Sequence, residues 1–173
     1  MFKQKLAGVA AKLRPWYGLI GKVLFLIVTL IILFGFVFGF KRMSGIAMSS
    51  NINDGDLTLF TRIGNDYAEN DVVIYEHDGK SSISRIIAKS GQIVDINNEG
   101  YMTVDGAVVS KAPVTNDLDT AALDMGLPYR VGSNMVYLLN DNYELNDDSR
   151  SFGAIFTNFL KGKIITVLKV RGI

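Results

Sequence analysis

The sequence predicts a mainly β domain carried behind one long apolar helix, and three features of the chain predict it. Residues 23–40 form an unbroken apolar run. From residue 57 onward the chain breaks into short segments rich in β-branched residues and punctuated by Gly, Asp and Asn turns. Charge divides at the same boundary: residues 1–42 hold seven basic residues and no acid, whereas all 17 acidic residues lie beyond, facing 11 basic ones. The 173 residues provide for one modest domain with an appendage.

Residues 1–22 carry Lys3, Lys5, Lys12, Arg14 and Lys22 and read as a basic juxtamembrane segment held at anionic lipid headgroups. The 18 uncharged residues 23–40 span most of a hydrocarbon layer of about 30 Å at about 1.5 Å rise per residue, so they are expected to be a transmembrane helix. Trp16 and Tyr17 precede the run, and Lys41 and Arg42 close it. Five basic residues before the span and two after it put the N-terminus in the cytoplasm and residues 41–173 outside the cell membrane, in a single pass. A cleaved secretory signal is the competing reading, but the apolar run is too long and no A-x-A-like site follows it.

Strands are expected at 57–62, 72–75, 84–88, 93–96, 102–104, 135–139 and 163–170. Asp78-Gly79 marks a hairpin, because Gly supplies the positive φ of a tight turn, and 98–100 and Gly106 mark two more. Residues 112–133, with Pro113 and Pro128, read as a loop-rich excursion with one helical turn near 120–125. His77, the single histidine, falls at a hairpin tip and reads as a surface residue. The acidic, basic-poor C-terminal part argues against nucleic acid as a partner. The absence of cysteine excludes disulfides, thiolate metal sites and a thiol nucleophile. The carboxylates of 141–148 lack the central Gly and terminal Glu of a calcium loop, so no metal or other cofactor is expected.

Four blocks in order carry a family resemblance over residues 20–173. They are the apolar span; SGIAM at 44–48, with Gly55 and Asp56 downstream; SRIIAKSG at 84–91; and NDNYELNDDSRSFG at 140–153. Together they resemble type I signal peptidases of the S26 family, whose blocks read GxSMxPTL with a later Gly-Asp, KRVIGxPG, and GDNxxxSxDSRxxG. The resemblance implies a signal-peptidase-like (LexA-like) β domain. In that family a serine hydroxyl attacks the scissile carbonyl and a neutral lysine acts as general base. The serine position is Ala47 here, the lysine position is Ser84, and the serine that orients the lysine is Asn146. Catalytic residues are therefore not expected. Ser44, Gly45, Met48, Gly55, Asp56, Arg85, Gly91, Asp141, Asn142, Asp148, Ser149, Arg150 and Gly153 keep the family's pattern and form the expected peptide groove and its framework.

The resemblance further implies a member like the SipA-type signal-peptidase-like proteins of Gram-positive bacteria, which lack the dyad and serve sortase-dependent pilus assembly. Pilin subunits and the class C sortase are then the expected partners, with signal-peptide-like segments as further candidates. Two other readings stand beside it. One is an active signal peptidase with unconventional residues, for which Ser49 and Lys89 are the nearest substitutes although neither falls at the required position. The other is an inactive homologue that competes for signal peptides.

Overall fold

The computed structural model describes residues 2–49, 51–64, 66–114 and 126–169. It divides into two units, Met1–Val37 and Phe38–Ile173. The first is one helix, α1 (Phe2–Val37). Its segment Gly18–Val37 has a mean hydropathy of 2.7 and is a candidate membrane span. Leu24, Phe25, Leu26 and Ile27 follow one another around the helix and all are exposed, so no single face is available for a core. An apolar surface on every side of a helix suits lipid rather than water, which is compatible with single-pass anchoring.

The expected end of the span differs. Residues 38–40 share the composition of the helix, yet they begin strand β1 (Phe38–Arg42). Pairing decides it: β1 lies antiparallel to β2 (Leu57–Thr61), with Phe38 opposite Thr61 and Arg42 opposite Leu57. A Cβ on Gly39 would stand 2.3 Å from the Phe60 ring, so Gly39 is what lets that ring lie across the strand.

In the second unit, β3 (Val72–His77) and β4 (Lys80–Lys89) form the hairpin expected at Asp78-Gly79. Both turn residues have positive φ, 49° and 72°, as a type I′ turn requires. β5 (Ile93–Ile96) and β6 (Met102–Val104) pair next, and a second such turn at Asp105-Gly106 leads to β7 (Ala107–Val108). β8 (Tyr129–Arg130) lies inside the expected loop excursion and pairs with β5; the helical turn expected at 120–125 lies outside the described residues. β9 (Met135–Leu139), a short helix α2 (Ser149–Phe152), β10 (Ile155–Phe156), a 3₁₀ turn (Thr157–Phe159) and β11 (Leu160–Leu168) complete the order.

The chain is thus mainly β, with antiparallel pairing throughout the described strands. One sheet runs β1-β2-β11-β3-β4-β9-β10 and the other β7-β6-β5-β8. Consecutive residues Val73, Ile74 and Tyr75 are all buried, because the middle of the larger sheet is covered on both faces. One cluster joins Ile87 and Tyr137 to Val94 and Met102 of the smaller sheet; a second packs Tyr75, Ile86 and Leu138 against Phe152. A third holds Met43, Met48 and Ile52 on Phe60, Ile74 and Ile83, and anchors the loop that carries the first sequence block. His77 departs from a simple surface residue: it is half-buried, and its ring stacks on Phe152 at 4.2 Å.

Candidate functional site

Two loops and the ends of two strands converge on one cleft of about 170 Å³. Its walls come from β1 and the following loop (Lys41, Met43, Ser44, Gly45, Ile46, Ala47), from the start of β4 (Ser81, Ser82, Ile83) and from the loop after β9 (Asn140, Leu145, Asp147). The first loop is short and fixed through its backbone. Gly45, with φ of 92°, donates its N–H to Asp54 Oδ1 at 2.9 Å. Met48 is wholly buried, which contributes about 1.5–3 kcal/mol, and its carbonyl accepts from Asn51 and Ile52. Gly55 and Asp56 close the loop from the other side: Met43 donates to the Asp56 carbonyl at 2.7 Å, and Gly55 donates to the Met43 carbonyl at 3.0 Å.

Ala47 is half-buried on the cleft wall and presents only a methyl group there. Its carbonyl accepts from the Asn142 N–H at 2.9 Å, and the Asn142 amide reaches the Ile46 carbonyl at 3.3 Å. The third block therefore holds the first in place without using the side chain at 47. Ser84 is fully buried in β4, so its hydroxyl does not open to the cleft. It donates to Asn140 Oδ1 at 2.6 Å and lies 3.5 Å from the Tyr75 hydroxyl. Burial pushes the Tyr75 hydroxyl above its ordinary pKa, with the Ser84 contact pulling the other way. The Asn140 amide donates onward to the Asp147 carbonyl at 3.2 Å, so its side chain fills the space between position 84 and the cleft. Where the family's third block begins with Gly, this chain has Asn140; that departure was present in the sequence, in a position that carries no chemistry by itself.

Asn146 is exposed, while its neighbours Leu145 and Asp147 line the cleft. The structure thus brings Ala47 and Asn140 to the cleft and Ser84 to its buried support, but does not bring Asn146 to either. Ser44 lines the cleft, whereas Ser49 and Lys89 do not.

Two charge pairs brace the loops. Arg85 grips Asp141 through Nε at 2.8 Å and Nη2 at 2.7 Å, and its Nη1 donates to the Asn70 carbonyl. Burial opposes ionisation of Asp141, but the Arg85 and Asn51 hydrogen bonds outweigh it and hold the carboxyl below its ordinary pKa. The second pair is buried: Asp148 accepts from Arg150 Nε and Nη2, both at 2.8 Å, and caps α2 through the Arg150 N–H. Arg150 reaches on to the carbonyls of Tyr143, Leu145 and Val114. Asp148 also accepts from the Asn140 N–H, and Ser149 accepts from the Leu138 N–H, tying the turn to the end of β9. Gly153, with φ of 78°, ends the helix by donating to the Ser149 carbonyl. Among the described residues no group of three or more acidic or His side chains gathers as a metal centre.

Against known proteins, the signal peptidase, peptidase S26, family model matches residues 16–169. Among solved structures the chain is similar to a signal peptidase I from Enterococcus faecalis V583, at 20% identity and a TM-score of 0.47, covering 58% of this chain and 97% of that one. No curated protein matches it by sequence.

Proposed function

This chain belongs to the signal peptidase, peptidase S26, family, and we propose that within it the domain is a non-catalytic, membrane-anchored protein that binds extended peptide and assists sortase-dependent pilus assembly at the cell surface. The reading rests on one observation above the others. The family's nucleophile position is a methyl group, Ala47, and its base position is a buried hydroxyl, Ser84, already donating to Asn140, while the loops around them are held by hydrogen bonds that use neither side chain. A hydroxyl donating to an amide oxygen accepts no proton near neutral pH, and an alanine attacks nothing. Support for peptide binding comes from the cleft itself. Residues 80–84 of β4 pair with β3 on one side and with no strand on the other among the described residues, so a free sheet edge borders the cavity. Such an edge takes an added strand through main-chain hydrogen bonds.

The basic residues ahead of the apolar span and the acidic domain after it support an N-terminus inside and a domain outside, where pilin subunits and a class C sortase would be met. The SipA-type assignment follows the pattern of lost dyad with kept framework. The test uses the full-length protein in lipid nanodiscs, mixed with a pilin precursor that retains its signal peptide, with and without the class C sortase. Co-capture of the precursor at unchanged mass is expected. Cleavage at one site by the wild-type protein would overturn the reading in favour of an active peptidase.

A further inference from the structure

Lys41 lines this cleft and bridges two of its walls. From the edge strand β1 its ammonium donates to the Ser81 carbonyl at 2.8 Å and to the Ser81 hydroxyl, on the free edge of β4. Both acceptors are neutral, and Lys41 takes part in no ion pair among the described residues. Burial holds its pKa below the ordinary lysine value, which is the mark of a cation partly stripped of water without a counter-charge to compensate. The one carboxylate among the lining residues is Asp147; it makes no ion pair with Lys41 and is exposed, where water screens it.

A peptide strand that pairs with the β4 edge competes with Lys41 for the Ser81 carbonyl. A neutral peptide displaces the ammonium and leaves it with less than it had. A peptide with a carboxylate at the facing position gives the displaced ammonium a charged acceptor, and the attraction between two opposite unit charges then adds to a hydrogen bond that a neutral carbonyl makes without it.

Building on the peptide-binding reading above, we infer that Lys41 is the specificity residue of the cleft: it selects extended segments bearing an acidic side chain and disfavours otherwise identical neutral ones. The same lysine, in the empty cleft, holds β1 against β4 and keeps the free edge covered.

The test is fluorescence anisotropy with the full-length protein in detergent micelles. The probes are dye-labelled, C-terminally amidated Ala- and Ser-rich peptides carrying one Glu at successive positions, each compared with its Gln counterpart. Wild type is expected to bind at least one Glu peptide about tenfold more tightly than its Gln form. Lys41→Met should bind both forms alike, and Lys41→Arg should retain the preference. Equal affinity of every Glu and Gln pair for wild type, a comparison that needs no variant to fold, overturns the inference and leaves peptide binding standing. So does a preference that survives in Lys41→Met. If no peptide binds wild type at all, the peptide-binding reading falls and the inference with it.

Discussion

Rebuilding the family's dyad should require three substitutions. Ala47→Ser alone places a hydroxyl on the cleft wall, where the loop backbone is already fixed by Asn142 and by the closing bonds at Met43. Ser84→Lys is different. Position 84 is fully buried, and its hydroxyl is the donor to Asn140 Oδ1 at 2.6 Å. A lysine there overpacks the site, at about 1–3 kcal/mol, and takes from a buried amide oxygen its donor, at about 1–3 kcal/mol more. Asn140→Gly removes the obstructing amide and keeps the Asn140 N–H bond to Asp148, which is made by the backbone. The double variant Ala47→Ser, Ser84→Lys is therefore expected to lose stability and to stay inactive. The triple variant should recover most of that stability and cleave a signal-peptide precursor. Since removing the nucleophile of a serine hydrolase costs about 10⁶ in rate, even partial recovery should reach about 10² over the double variant. Cleavage read by mass spectrometry, with urea melts of each variant, decides the matter. A double variant as active and stable as the triple would refute the account of Asn140, and a cleaving wild type would refute the account of Ala47 and Ser84.

Two further substitutions test the framework. Asp141→Asn removes the ionised partner of Arg85 and should cost about 2 kcal/mol at neutral pH. Because the folded-state pKa of Asp141 is depressed, its contribution is present above about pH 4 and lost as the pH falls through the folded value. The gap between the wild-type and Asp141→Asn urea midpoints should therefore shrink as the pH is taken below about 4, and a gap that stays constant with pH would show that the pair is not the cause. Gly162→Ala places a Cβ 2.1 Å from the Thr61 carbonyl at a φ of 157°, in the bulged part of β11. It should cost about 2–4 kcal/mol and lower Tm by about 10 °C; a shift within about 1 °C would show that the neighbouring strand yields freely.

Much of this was legible in the chain. Turn chemistry gave the β3–β4 hairpin, since Asp-Gly can hold two successive positive φ values, and the runs at 72–75 and 135–139 were long and apolar enough to mark buried strands. The boundary after Val37 was not legible, because residues 38–40 have the same composition as the helix and only pairing with β2 distinguishes them. Two-residue strands such as β7, β8 and β10 fall below any periodic signal. At the site, Ala47 and Ser84 declared themselves through the motif, and Asp148 and Arg150 through the same family pattern. Asn140 and Lys41 did not, because their importance lies in which strand they reach across to, 56 and 40 residues away in the chain.

These contrasts suggest that the replacements at 47 and 84 are energetically unequal. Ala47 sits in a loop held by hydrogen bonds none of which uses the side chain at 47, so that side chain contributes little to the fold in either form. Ser84 and Asn140 instead form a neutral buried pair where a lysine must either be desolvated as a cation or give up its proton to stay buried, and either costs stability at neutral pH. Once no nucleophile stands at 47, nothing offsets that cost. A neutral pair at 84 and 140 then stabilises the scaffold while leaving the cleft walls, the free β4 edge and Lys41 in place for the peptide binding proposed above. On this account stability and chemistry are in conflict at position 84 but not at 47, which is why Ser84→Lys should be the destabilising half of any attempt at restoration and Ala47→Ser the silent one.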